Sequence, residues 1–166
     1  MARRCWLVKS EPGAYSWERF VREGRAVWDG VRNPQAQGHL AAMGEGDRVL
    51  FYHSGAGREV VAIARVARAA YPEPGAGDPR LVAVDLVPER PLARAVALSE
   101  IKADRALAAV ALVRQPRLSV MPLEPAAFER ILALSATRGP NDPPARAGTR
   151  TPARRRTRSS ASRRAP

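Results

Sequence analysis

A single cysteine, Cys5, allows no internal disulfide and no thiolate metal cluster, and fits a reducing compartment. The two histidines, His39 and His53, fall in no metal-ligand spacing, so neither a metal nor any other cofactor is expected. No stretch approaches the roughly 18 apolar residues that span a bilayer. The apolar run before Lys9 in MARRCWLVKSEP is too short for a signal peptide. These absences point to a cytoplasmic setting, nucleoid-associated in a bacterium or nuclear in a eukaryote. Enzyme signatures are missing too. There is no G-x-S-x-G elbow, and neither Gly55-Ala56-Gly57 nor Gly75-Ala76-Gly77 continues into a dinucleotide or phosphate-binding loop. His53 and Ser54 are neighbours on one expected strand, so their side chains point to opposite faces and cannot pair. Cys5, on a first strand, reads as a small buried hydrophobe.

What the chain has in excess is arginine. The net charge is +12, and only Lys9 and Lys102 are lysines. The excess is uneven: Met1 to Ser135 holds 19 basic and 15 acidic residues, whereas Ala136 to Pro166 holds nine arginines against Asp142 alone. That last stretch has no Val, Ile, Leu, Met or aromatic residue, so it cannot offset the entropy of ordering. We therefore divide the chain into an ordered domain, 1–135, and a disordered basic tail, 136–166. The tail either adds phosphate affinity through counterion release or merely solubilises.

Within the domain, CWLVKS reads as a strand, with Trp6, Val8 and Ser10 on one face. Ser16 caps a short helix, WERFVREG, which Gly24 closes. Asp29-Gly30 reads as a tight turn, and Asn33-Pro34 as a cap and first residue of a helix through PQAQGHLAAM. Strands are expected over RVLFYHS, EVVAIARVA and RLVAVDLV, followed by a helical turn at LSEIKAD and another capped by Asp104. A strand pair, LVRQ and RLSVMPL, precedes a last helix, EPAAFERILAL, whose Phe128, Ile131 and Leu132 share one face. Strands broken by short helices, with connections too short for crossover helices, predict an α+β fold built on a small mixed β-barrel.

Polar and aromatic residues gather near the ends of these strands, in WLVKSEP, WDGVRN, VLFYHS, IKAD and LVRQPRLSV. In this order and spacing, from about Trp6 to Leu134, they closely resemble the EVE domain family of the PUA-like superfamily. One departure is Pro116, where that family usually has serine, which removes a hydroxyl and an N–H. The resemblance implies a PUA-like β-barrel of about five to seven strands with short helices packed against it. It also implies a non-catalytic module that binds nucleic acid carrying a modified base, foremost DNA with a modified cytosine such as 5-methylcytosine; a monomer is expected.

The chemistry of the residues fits. A modified base is best inspected outside the stack, in a pocket with an aromatic plate and directional hydrogen-bonding groups. Trp28 is the expected plate, the alternative being a core tryptophan like Trp6. Ser10 and Glu11 supply donors and acceptors, unless they only turn the chain before Pro12. Arg32, Asn33 and Ser119 complete the base pocket, together with one of Tyr52 and His53, which face opposite sides of their strand. Lys9, Arg114 and Arg117 are expected at phosphates, which fix register without reading sequence. Two other readings stay open: an RNA-binding module for modified tRNA or rRNA, and an enzyme on a modified nucleotide with Glu11 or His53 as acid or base.

Overall fold

The computed structural model describes residues 3–137 and Gly139. The stretch expected as a basic tail therefore lies, beyond its first residues, outside the described residues. Six strands form one mixed sheet: β1 (Cys5–Ser10), β2 (Ala26–Trp28), β3 (Arg48–His53), β4 (Glu59–Pro72), β5 (Val82–Ala97) and β6 (Val120–Leu123). Their order is β2-β5-β4-β3-β1-β6. The α+β, PUA-like expectation holds, and six strands fall within the expected five to seven. The sheet stays open, with β2 and β6 as its edges.

β1 lies inside the sheet, parallel to β3 and antiparallel to β6. Its run Cys5-Trp6-Leu7-Val8 is buried throughout because both faces are covered. Parallel pairing of β1 with β3 needs a long return, supplied by α1 (Trp17–Glu23), β2 and α2 (Pro34–Ala42). Both helices begin as the sequence dictates. The Ser16 hydroxyl accepts the Arg19 N–H at 3.2 Å, and Gly24, at φ 71°, closes α1 by donating to the Phe20 carbonyl. Asn33 Oδ1 accepts the Ala36 N–H at 3.0 Å, and Pro34 opens α2, which turns Ala36 and Leu40 inward.

Three expectations change. The LVRQ strand is instead a single helical turn, α4 (Ala111–Arg114), with Leu112 buried. β6 takes β1 as its partner and needs no hairpin mate from that segment. β4 and β5 are much longer than expected, because shifts of register along their ladder absorb Pro88 and Pro91. β2 was not among the expected strands; it is three residues long and held only by β5. After α3 (Leu98–Ala103) and a 3₁₀ turn at Arg105–Leu107, α5 (Pro125–Ala136) packs Phe128 and Ile131 against β5 and that turn.

Candidate functional site

Phe51 of β3 organises an aromatic cluster. Its ring stacks on Phe20 at 5.5 Å between centroids and meets Trp17, Trp28 and His53 edge-on at 5.5, 5.7 and 5.6 Å. Trp28 ends β2 at the outer margin of this cluster, and Tyr15 touches it edge-on at 6.3 Å. Trp28 is thus half-buried: part of its ring packs, and the rest opens into a cleft of about 540 Å³. Trp6, by contrast, is 1% exposed and donates its indole N–H to Asp47 at 2.9 Å. Plate and filler were posed as alternatives for Trp28, and the geometry gives it both kinds of surface.

The end of β1 forms one wall of the cleft. Ser10, on this wall, donates its hydroxyl to the Tyr15 carbonyl at 2.5 Å, which leaves its oxygen able to act only as an acceptor. Glu11 is exposed and has no hydrogen-bond partner for its carboxylate among the described residues. That carboxylate lies against the turn at Gly13, where an added Cβ would stand 3.1 Å from both its oxygens. Lys9 donates to the Pro116 carbonyl at 2.9 Å and lies 5.7 Å from the centre of the Tyr52 ring. Burial pushes the Lys9 ammonium below its usual range. Ser119, whose carbonyl accepts the Lys9 N–H at 2.9 Å, lines the same wall.

The opposite wall runs from Glu23 to Arg32. Here Asp29-Gly30 departs from the expected tight turn: no turn hydrogen bond closes it among the described residues. Instead Gly30, at φ 74°, donates its N–H to Glu73, which leaves β4 just beyond Pro72. Arg32 pairs with the same carboxylate at 2.8 Å. Hydrogen bonds from Arg32 and the Gly30 N–H outweigh burial and hold Glu73 below the ordinary carboxylate range. One carboxylate thus fixes the rim from Gly30 to Arg32, while the Arg32 side chain remains 55% exposed. Arg25 is anchored likewise, donating twice to Asp85, which also accepts the Tyr71 hydroxyl. Tyr15 donates to Glu23 at 2.7 Å, and burial together with that carboxylate pushes its hydroxyl up to about 12.

Of the residues singled out in the sequence, Lys9, Ser10, Glu11, Trp28, Arg32 and Ser119 converge on this cleft. Five do not line it. Tyr52 is 2% exposed, because its strand is covered on both faces. The His53 ring accepts the Trp17 N–H at 3.1 Å and so serves the start of α1. Asn33 caps α2, and Arg114 leans on the Ala108 carbonyl at 3.4 Å. Asn33 and Arg117 line a separate, smaller recess. Sequence reasoning missed Tyr15, Glu23, Arg25, Val27 and Val31.

An open PUA-like α+β sheet with an aromatic and polar cleft between the end of β1 and the β2–α2 loop defines the class: a small PUA-like domain. The EVE domain pattern matches residues 4–134, and the chain belongs to that family. Mouse thymocyte nuclear protein 1 is 32% identical, the match covering 80% of this chain and 74% of its own. Among solved structures, Rpa0253 from Rhodopseudomonas palustris superposes with a TM-score of 0.77 at 40% identity, covering 80% of this chain and 93% of that one. The human THYN1 protein, solved in complex with DNA containing 5-methylcytosine, superposes with a TM-score of 0.75 at 29% identity, covering 82% and 99%. Among the described residues no helix is long and apolar enough to cross a membrane.

Proposed function

We propose that the chain is a non-catalytic, monomeric reader of a modified base in DNA, with 5-methylcytosine the leading ligand. The observation that carries this reading is Trp28, held half-buried at the mouth of the cleft between unpaired acceptors and a fixed arginine. The DNA-bound human relative supports it. A base turned out of the duplex stacks on the open part of the Trp28 ring, an interaction worth roughly 1–3 kcal/mol. Glu11, with no protein partner among the described residues, accepts from the exocyclic amine of cytosine, the pairing that carboxylates favour. Ser10 offers a second acceptor, and Ser119 a hydroxyl that can do either. Val27 and Val31 give the cleft apolar surface for a methyl-sized modification, which is worth only ~1–3 kcal/mol, so discrimination is modest.

Lys9 and Arg32 hold phosphates at the mouth. The domain, 1–135, carries this recognition, and the basic stretch 136–166 adds phosphate affinity blind to sequence. Such a protein works where the chromosome lies, in the nucleoid or the nucleus. Titrating tryptophan fluorescence with matched oligonucleotides tests the proposal. The expected result is tighter binding to the strand bearing 5-methylcytosine than to its unmodified twin. Equal affinity across a panel of cytosine modifications would sink it, and tighter binding of the RNA version would move the substrate to RNA.

A further inference from the structure

Beside the cleft lies a second recess of about 240 Å³, lined by Asn33, Gln35, Gln115, Pro116, Arg117 and Leu118. We propose that it is a subsite for the nucleotide adjoining the inspected base, and that it gives the protein a preference for sequence context. The inference rests on reading the cleft as a base pocket.

Two stretches of chain run directly from one cavity to the other. Arg32 lines the cleft and Asn33 the recess; Ser119 lines the cleft and Leu118 and Arg117 the recess. Lys9 ties them together, since it lines the cleft and donates to the Pro116 carbonyl of the recess at 2.9 Å. The lining has a definite chemistry. It holds three carboxamides and one guanidinium but no carboxylate, so nothing in it repels a phosphate. The Gln35 and Gln115 side chains and the Arg117 guanidinium are exposed and make no hydrogen bond or ion pair among the described residues. Asn33 spends its Oδ1 on the Ala36 N–H and leaves its amide donors open.

A carboxamide presents a donor and an acceptor side by side, the pattern that matches a base edge and pairs best with adenine. Arginine suits the phosphate between two nucleotides. Pro116, exposed over the buried Leu118, gives the recess an apolar flank on which a base face can rest. The recess therefore reads an edge with its glutamines while Arg117 fixes the backbone, and adenine is the favoured neighbour.

The test uses the full chain and oligonucleotides in which the base on either side of one 5-methylcytosine is varied, each with an unmodified twin. Wild type should prefer one neighbour, adenine above the others, by roughly fivefold. The double variant Gln35→Ala, Gln115→Ala should lose that preference yet keep its ratio of modified to unmodified affinity. Arg117→Ala should weaken every oligonucleotide alike and leave the preference intact. A wild type indifferent to the neighbour, or a double variant with its preference unchanged, overturns the subsite. Equal binding of modified and unmodified twins instead overturns the base pocket on which the subsite rests, a result distinct from a missing neighbour preference.

Discussion

Replacing Trp28 separates packing from recognition, because its ring serves both. On the packing side it makes two edge-on contacts, with Phe51 at 5.7 Å and Tyr15 at 6.3 Å. Such pairs contribute about 0.5–1.5 kcal/mol each beyond the burial of the ring, so Trp28→Ala should cost at least about 1–3 kcal/mol of stability. On the recognition side, losing the stacking surface should cost a further 1–3 kcal/mol of binding, roughly 5- to 150-fold in affinity. Trp28→Phe keeps an aromatic face and should recover most of both. Urea unfolding gives the first number, and titration of the folded protein with a 5-methylcytosine oligonucleotide gives the second. Fluorescence supplies an internal check. Trp6 is 1% exposed and bonded to Asp47, and Trp17 packs edge-on against Phe20 and Phe51. Quenching on binding should therefore come from Trp28 and vanish in Trp28→Phe, although two tryptophans remain. A Trp28→Ala protein that is less stable but binds the modified strand as wild type does would refute the stacking role and leave the ring as filler.

Two further outcomes are expected. Burial alone would raise the Asp85 carboxyl, but the Tyr71 hydroxyl and Arg25 guanidinium outweigh it and leave Asp85 below its ordinary value. Its contribution is therefore complete above about pH 4 and is lost as the pH falls through the lower folded value. Asp85→Asn should lower stability at neutral pH by about 1–3 kcal/mol and flatten this acid limb in urea unfolding followed against pH. Removing residues 140–166 spares Thr137, whose carbonyl accepts from Arg94 at 2.7 Å. That truncation should weaken modified and unmodified DNA alike and flatten the salt dependence of binding, while the preference for the modified strand persists. A preference lost with the truncation would place recognition outside the domain.

Both principal helix starts were legible in the sequence because capping is local: Ser16 and Asn33 need only the next turn to show their role. The last helix was legible from its packing stripe. The long hairpin of β4 and β5 was legible only in part, since its bulges admit prolines and charges that break the period of two. α4 was misread because one turn rich in apolar residues carries no period at all. The cleft followed the same rule. Ser10, Glu11, Trp28 and Arg32 stand in short runs whose composition is unusual, and Ser119 came with its own run. Tyr52 and His53 looked no different, yet the layers packed on both faces of β3 take them out of the cleft. Glu73 sets the shape of the rim from 41 residues beyond Arg32, and nothing in PEPG announces that.

The placement of β1 has a consequence for synthesis. It is the first strand made, yet it sits between β3 and β6, the last strand made. The Lys9–Pro116 tie spans 107 residues, and Ser10 and Ser119 meet on one wall of the cleft. Such distant pairing is slow to form and follows the local hairpin of β4 and β5. A chain emerging from the ribosome can thus build most of its sheet and still lack the Ser119 side of the cleft. The Ser119 side of the cleft is the last to be put in place, when β6 docks on β1.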